Sequence, residues 1–233
     1  MRTVAIVPAA GSGNRIGREL SKQYLSLGGM PLLVHTLKVF EECPLVDALL
    51  VVVPPQDIEV VRNTVLAPWK LKKVAGVIPG GKERQDSVRA GIEALDADAG
   101  IVIIHDAVRP FITIELISQC ILAAREEGAV TVGVPVKDTV KEVAPDGRVM
   151  RTCDRSLLWL TQTPQAFRRD IIENAHRAAV RDGFRGTDDA SLVERLGIAV
   201  RMIRGDYGNI KITTPEDLVI AEALLAASLK AKG

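Results

Sequence analysis

Short apolar runs rich in β-branched residues alternate with helix-like segments along most of this 233-residue chain. Thr3 to Val7 is continuously apolar, which is typical of a parallel strand buried on both faces. Further strands are predicted at 47–53, 73–78, 101–105, 129–136 and 199–203, and helices at 31–43, 56–66, 84–95, 113–127, 168–181, from 187 onward and from 214 to about 229. Strands alternating with helices predict βαβ units, so the fold class is α/β with a mostly parallel sheet.

The alternation breaks at about 137–155. Two short segments, 140–143 and 148–150, flank a turn signal at Asp146-Gly147 and predict a β-hairpin. Two strands alone are marginally stable in water, so we expect a protruding arm that pairs with another subunit. A meander at the edge of the main sheet is an equally good interpretation of this pattern. Without a linker-like stretch elsewhere, residues 1–233 are expected to form one domain plus this arm.

The composition argues against several classes of protein. The net charge of +1 gives no overall basic field for nucleic acid, and 3% aromatic residues disfavour a base-stacking surface. No apolar stretch is long enough to span a bilayer. Cys43, Cys120 and Cys153 lie far apart, which favours a reducing compartment, and the chain opens on a strand-like run without a signal peptide. We therefore expect a cytoplasmic protein that binds neither nucleic acid nor membrane.

Three unusual segments follow predicted strands, at 8–15, 79–87 and 105–110. In open parallel sheets, ligands bind beyond the carboxyl ends of the strands. We therefore expect the three segments to line one edge of the sheet and to form the functional site together.

The first of these segments combines glycines with basic side chains. The glycines are Gly11, Gly13 and Gly17, and the basic residues are Arg15, Arg18 and Lys22. Glycines let backbone N–H groups approach an anion, and basic side chains neutralise phosphate charge. The spacing differs from both the dinucleotide fingerprint and the G-K-[ST] phosphate loop. The pattern favours phosphate binding over a plain turn with solvated basic residues.

Asp106 lies at a predicted strand end, where it could hold a metal or receive a substrate hydroxyl. Two structural alternatives are a helix N-cap and a simple ion pair with Arg109. The three histidines, His35, His105 and His176, have no metal-ligand spacing.

Eight motifs, in order along nearly the whole chain, resemble those of the 2-C-methyl-D-erythritol 4-phosphate cytidylyltransferase family. They are Pro8-Ala-Ala-Gly-Ser-Gly13, Ser21-Lys-Gln-Tyr-Leu25, Glu83-Arg-Gln-Asp-Ser-Val88, His105-Asp-Ala-Val-Arg-Pro110, Pro135-Val-Lys-Asp-Thr139, Asp154-Arg155, Thr163-Pro-Gln165 and Asn209-Ile-Lys211. The resemblance implies a Rossmann-like nucleotidyltransferase domain that transfers CMP from CTP to methylerythritol phosphate and releases pyrophosphate, in non-mevalonate isoprenoid synthesis. It also implies Mg²⁺ as cofactor and a homodimer whose arms cross between subunits.

The resemblance further implies a role for each matching residue. Arg15 and Lys22 would stabilise charge at the reacting phosphorus, while Arg155 and Lys211 would position the sugar phosphate. The nucleotide would be bound by Pro8, Ala9, Ala10, Gly11, Ser12, Gly13, Gly81, Ser87 and Ala107. The other substrate-binding residues would be Asp106, Arg109, Thr139 and Thr163, and the arm would carry Thr139 and Arg155 into the neighbouring site. Mg²⁺ would bind mainly through the CTP phosphates, near Asp106.

Three positions depart from the family pattern: Asn14 stands where many relatives carry Arg, Lys82 where some carry an acid, and Val108 where some carry Ala. None of them removes a proposed catalytic group, although Asn14 would weaken triphosphate binding unless Arg18 compensates. Another polyol-phosphate cytidylyltransferase, such as one acting on ribitol 5-phosphate, is the nearest alternative. A non-catalytic nucleotide-sensing module and a dinucleotide-dependent oxidoreductase are more distant ones.

Overall fold

The structure, a computed structural model, describes residues 1–11 and 22–232. Its strands are β1 (Arg2–Pro8), β2 (Ser26–Leu27), β3 (Met30–Pro31), β4 (Ala48–Val53), β5 (Val74–Pro79), β6 (Ala99–Ile104), β7 (Ala129–Pro135), β8 (Lys141–Val143), β9 (Val149–Thr152), β10 (Trp159–Arg168) and β11 (Arg201–Arg204). Its α-helices are α1 (Leu32–Glu42), α2 (Ile58–Val60), α3 (Arg84–Glu93), α4 (Ile114–Glu127), α5 (Arg169–Arg181), α6 (Asp189–Glu194) and α7 (Pro215–Lys232). Tighter and wider helical turns flank α2, so that 55–69 is helical but irregular.

Seven strands form the central sheet, in the order β11-β7-β10-β6-β1-β4-β5. All neighbouring pairs are parallel except the two that involve β10. Successive residues of a strand face opposite sides of the sheet. Val7 therefore packs under α1 and α4, and Ile6 packs under α3, α5 and α6. The predicted α/β fold with a mostly parallel sheet is confirmed.

The antiparallel strand β10 was not among the predicted elements. It lies between β6 and β7, in the middle of the sheet. Its central residues are polar and include Pro164, which has no N–H to donate and therefore reads as a strand breaker. The ladder with β7 shifts between Gln162 and Ala166, and Gln165 bonds instead to the Thr131 hydroxyl. Side-chain hydrogen bonds thus compensate for a weak strand pattern.

The segments β8 and β9 pair with each other as the predicted hairpin and form a two-stranded sheet of their own. Gly147, in the turn, has φ +86°, a conformation that glycine adopts without strain. Every residue of both strands is exposed. What the hairpin contacts beyond its own chain stays a prediction. Across 1–11 and 22–232, no helix is both long and apolar enough to cross a membrane.

Candidate active site

A cleft of about 150 Å³ opens where β1 and β6 end. It is lined by Pro8, Ala9, Ala10, Gly11, Gln23, Arg84, Ser87, Asp106, Ala107, Val108 and Lys211. The structure therefore brings together residues from all three strand-end segments. We call this the first cleft.

Close backbone packing shapes the wall of the first cleft. A Cβ added at Gly80 would lie 2.6 Å from Cβ of Ala10 and 2.8 Å from Oγ of Ser87. The Ser87 hydroxyl accepts a hydrogen bond from the Gly81 N–H at 3.2 Å. The loops after β1 and β5 can thus touch only because position 80 has no side chain.

A second cleft of about 230 Å³ adjoins the first. Its lining residues are Arg84, Asp106, Arg109, Thr161, Gln162, Thr163, Gln165, Thr187, Asp188 and Lys211. Arg84, Asp106 and Lys211 line both clefts. Two ligands seated in the two clefts would meet at these three side chains.

Three cations surround the Asp106 carboxylate at this junction. Oδ1 lies 3.0 Å from Nε of Arg84, while Oδ2 lies 2.8 Å from Nζ of Lys211 and 3.7 Å from Nε of Arg109. Burial of Asp106 opposes its ionisation, but the charges of Arg84, Lys211 and Arg109 outweigh burial and hold its pKa well below the ordinary value. The alternative of a helix N-cap is wrong, because Thr113 caps α4.

A chain of hydrogen bonds fixes the backbone of Asp106. Nε2 of His105 faces the Arg109 carbonyl at 3.1 Å, and a carbonyl only accepts, so this nitrogen carries the proton. Nδ1 then accepts from the Thr163 hydroxyl, which in turn accepts from the Asp106 N–H, each at 3.1 Å. Burial lowers the pKa of His105 to about 4, so the ring is neutral near pH 7. Both His105 and the Thr163 hydroxyl therefore serve to position Asp106.

Several predicted site residues are not gathered at the clefts. Thr139 and Arg155 line neither of them and are both exposed. The Arg155 guanidinium instead donates to the Lys137 carbonyl at 2.6 Å. Ser12, Gly13 and Arg15 lie outside the described residues, and so does the side chain of Lys22.

Several side chains that line the clefts were absent from the predicted site residues, and two of the missed side chains bind other parts of the site. Arg84, the first residue of α3, bonds both to Asp106 and, at 2.7 Å, to Asp189. Gln23 is buried and donates to the Ala9 carbonyl at 2.6 Å, which holds the loop after β1. Both residues belong to motifs that carry the family resemblance, and that was the available signal for a role.

Metal binding finds limited protein support in the described part of the chain. No group of three or more His, Cys, Asp or Glu side chains there could hold an ion. Among the lining residues of the first cleft, Asp106 is the one carboxylate. A hard cation in this cleft would need most of its oxygen ligands from the phosphates of a bound nucleotide.

Comparison with known proteins connects this geometry to one family. A family model described as 2-C-methyl-D-erythritol 4-phosphate cytidylyltransferase (IspD) matches residues 3–227. Relatives of that name from Syntrophus aciditrophicus and Geobacter metallireducens are 52% and 50% identical; the first match covers 96% of this chain and 96% of the relative, and the second 98% and 100%.

Solved structures agree with the sequence relatives. The 4-diphosphocytidyl-2C-methyl-D-erythritol synthase of Anaerococcus prevotii superposes with a TM-score of 0.86 at 33% identity, over 97% of this chain and 96% of that one. The Thermus thermophilus 2-C-methyl-D-erythritol 4-phosphate cytidylyltransferase gives 0.77 at 34% identity, over 96% and 98%. This chain belongs to the 2-C-methyl-D-erythritol 4-phosphate cytidylyltransferase family.

Proposed function

We propose that the chain transfers CMP from CTP to 2-C-methyl-D-erythritol 4-phosphate, giving 4-diphosphocytidyl-2-C-methylerythritol and pyrophosphate in non-mevalonate isoprenoid synthesis. Family membership supports the reaction. The observation that carries it is the pair of adjoining clefts that share Arg84, Asp106 and Lys211. One cleft would take the nucleotide and the other the alcohol phosphate, so that the reacting groups meet at the shared side chains.

The chemistry requires cations more than a base. The nucleophile is a phosphate oxygen of the alcohol phosphate, whose second pKa is near ~6, so it is largely dianionic at neutral pH. It attacks the α-phosphorus of CTP in line, a new P–O bond forms, and the bond to the β-phosphate breaks as pyrophosphate leaves. Because the nucleophile needs no deprotonation, the neutral and fully bonded His105 is not required as a general base.

Pro8 to Gly13, Gly81, Ser87 and Ala107 would hold the nucleotide, since the described members of this set lie in or beside the first cleft. Arg15 and Lys22 would stabilise the charge that builds at phosphorus. Lys211 would position the phosphate of the second substrate, and Asp106, Arg109 and Thr163, which line the second cleft with it, would contact the same substrate. Fixing the attacking group this way reduces the orientational entropy lost in the transition state.

Mg²⁺ fits the site as a nucleotide-bound ion. Asp106 is an ionised carboxylate at the junction of the clefts, and carboxylate oxygens suit Mg²⁺. The ion would rest mainly on CTP phosphates, with Asp106 as the candidate protein ligand, and would neutralise triphosphate charge.

We also infer that the chain works in the cytoplasm as a single domain over 1–233.

The hairpin, with its flanking residues at 137–155, would form the arm of a homodimer and place Thr139 and Arg155 in the neighbouring site. Exposed apolar side chains on and beside it support this interface: Val149 is 59% exposed, Met150 65%, Leu157 79% and Leu160 58%. Apolar patches of this kind are typical of protein contacts. A crossing arm also explains why Arg155 lies away from the clefts of its own chain.

The reaction is tested by pyrophosphate release from CTP, ATP, GTP and UTP with methylerythritol phosphate and with ribitol 5-phosphate. We expect turnover with CTP and methylerythritol phosphate. Preference for ribitol 5-phosphate would assign the alternative polyol. Absence of pyrophosphate with every pair would instead favour a nucleotide-sensing module. Lys22→Ala should lower kcat by about 100-fold, the usual cost of losing a charge-stabilising group.

Mixed dimers test the arm. Lys22→Ala and Arg155→Ala subunits, each weakly active alone, are unfolded together and refolded into dimers. Activity is then measured at low substrate concentration. If arms cross, each mixed dimer has one intact site, and random assembly restores about a quarter of wild-type activity. If each arm serves its own subunit, every site keeps one defect and activity stays at the level of the parents.

A further inference from the structure

A buried chain of charged and polar side chains runs from the junction of the clefts to α5. Nε of Arg84 lies 3.0 Å from Asp106, and Nη1 of Arg84 lies 2.7 Å from Oδ2 of Asp189. Nε2 of His176 lies 3.0 Å from Oδ1 of Asp189. His176 and Asp189 are 2% and 1% exposed. Water therefore has almost no access to the hydrogen bond between His176 and Asp189.

The hydrogen-bond roles follow from the carboxylate. The ionised Asp189 side chain only accepts, so Nε2 of His176 carries the proton and donates it. Burial opposes ionisation of Asp189, but Arg84 and the hydrogen bond from His176 keep its pKa below the ordinary value. Nδ1 of His176 is buried and has no partner among the described residues. The ring therefore makes one hydrogen bond, to Asp189, and its other nitrogen makes none with the described residues.

The backbone of Asp189 is held as firmly as its side chain. Its N–H donates to Oε1 of Gln165 at 3.0 Å, and the next N–H, of Ala190, donates to the same oxygen at 3.2 Å. His176 occupies Oδ1 and Arg84 occupies Oδ2, so the carboxylate has little freedom to rotate. Asp106 and Asp189 bind two different nitrogens of Arg84, which fixes the plane of the guanidinium.

We propose that His176 is a positioning residue: it orients Asp189, which together with Asp106 holds Arg84 where the two clefts meet. His176 lines neither cleft, so it would act through its neighbours and not on substrate. The effect on turnover rests on the proposed cytidylyltransferase activity, whereas the hydrogen-bond chain exists independently of it. A misplacement of about 1 Å caused by a change away from the chemistry can lower the rate by about 100-fold, so a smaller shift of Arg84 is expected to lower it by about 10-fold.

Two variants of similar shape separate the hydrogen bond from packing. His176→Met removes the donor, and His176→Gln keeps an N–H at nearly the same reach. We expect kcat to fall about 10-fold in His176→Met, with both KM values within about threefold, and to recover to within about threefold in His176→Gln. Cys120→Ala, a buried change in the opposite core, should lower the melting temperature without changing kcat. Equal kcat for the Met and Gln variants, or a wild-type kcat in both, would overturn the proposal.

A double-variant comparison shows whether the effect passes through Asp189. Adding His176→Met to Asp189→Asn should lower kcat by less than about twofold further, because coupled residues are not additive. If the two substitutions lowered kcat independently, so that their effects multiplied, the proposal that His176 acts through Asp189 would be refuted.

Histidine NMR provides a measurement that needs no substrate. The chain has three histidines, so His176→Gln assigns the signal of His176. We expect a slowly exchanging proton on Nε2 that shifts in Arg84→Met. A proton on Nδ1, or a His176 signal unchanged in Arg84→Met, would refute the proposed positioning role even in an active enzyme. A wild-type protein that shows this signal but no turnover would refute only the proposed reaction.

Discussion

Asp106→Asn tests how the charge at the junction of the clefts supports the fold. The substitution keeps the shape of the side chain and removes its negative charge. Arg84 retains Asp189 as a partner, and Lys211 is 39% exposed, so water screens part of its charge. Arg109 is 10% exposed, and its one ion pair in the described part of the chain is with Asp106. The substitution therefore leaves Arg109 as a buried and uncompensated cation.

These contacts set the expected magnitude. Removing one partner of a buried ion pair usually costs about 3–5 kcal/mol, because the other charge stays buried. We place Asp106→Asn near the low end, at about 3 kcal/mol, since two of its three cations have other stabilisation. For a chain of this size, that loss corresponds to a melting temperature lower by about 6–12 °C.

The pH dependence has a defined sign. The pKa of Asp106 is lower in the folded state than in the unfolded state, so the stabilisation is complete above the unfolded value of about 3.9 and is lost as pH falls below it. Urea unfolding should therefore show a constant gap between wild type and Asp106→Asn from pH 5 to 8. The gap should narrow in more acidic buffer. Tripolyphosphate, which supplies negative charge, should raise the melting temperature of the variant more than that of wild type.

Asp98→Asn is the control, because Asp98 pairs with Arg2 at the surface and is 65% exposed. Exposed pairs contribute little, so its unfolding curve should nearly overlie that of wild type. Two results would contradict this reasoning: an Asp106→Asn variant as stable as the control, or a stability difference from wild type that grows on acidification. Either would show that the Asp106 carboxylate does not stabilise the cations around it.

Other consequences follow from the packing and the buried histidine. Gly80→Ala places a Cβ 2.6 Å from Cβ of Ala10, so the loops after β1 and β5 must separate. We expect KM for CTP to rise at least about 10-fold in steady-state assays. An unchanged KM would show that contact between these loops is unimportant for CTP binding. The pKa of His105 falls from 6.5 to about 4 on folding, so its contribution is complete above pH 6.5 and is lost towards pH 4. His105→Gln should therefore lose about 3 kcal/mol less stability than wild type between pH 7 and pH 4 in urea titrations, whereas parallel losses would place the acid sensitivity elsewhere.

The parallel part of the sheet is predictable because its strands are buried on both faces and leave continuous apolar runs. The strand β10 obeys a different rule. Gln165 is fully buried, yet its amide bonds to Thr131 and Asp188 and its carbonyl accepts from the start of α6. A strand stabilised by such long-range bonds has no period-two apolar pattern, so local sequence does not reveal it.

The site divides along the same line. The three charged segments, two of them rich in glycine, follow parallel strands, and topology alone brings them to one edge of the sheet. Arg84 and Asp189, by contrast, are 105 residues apart, and no spacing rule links them. Lys211 was placed at the site by the family resemblance, and its bond to Asp106 gives that placement a physical basis. Pairings of this kind arise only from tertiary structure.

The arrangement of charge reconciles two opposing demands on this site. Binding a triphosphate and a phosphate requires excess positive charge, but unpaired buried cations destabilise a fold. Arg84, Arg109 and Lys211 share Asp106 and Asp189, which leaves a single excess positive charge within this cluster. Arg155, a further cation proposed for the reaction, is exposed on the arm, where water solvates it. The charges of this cluster are therefore nearly balanced, and the proposed arm would add the further cation that the substrates require without burying it inside the fold.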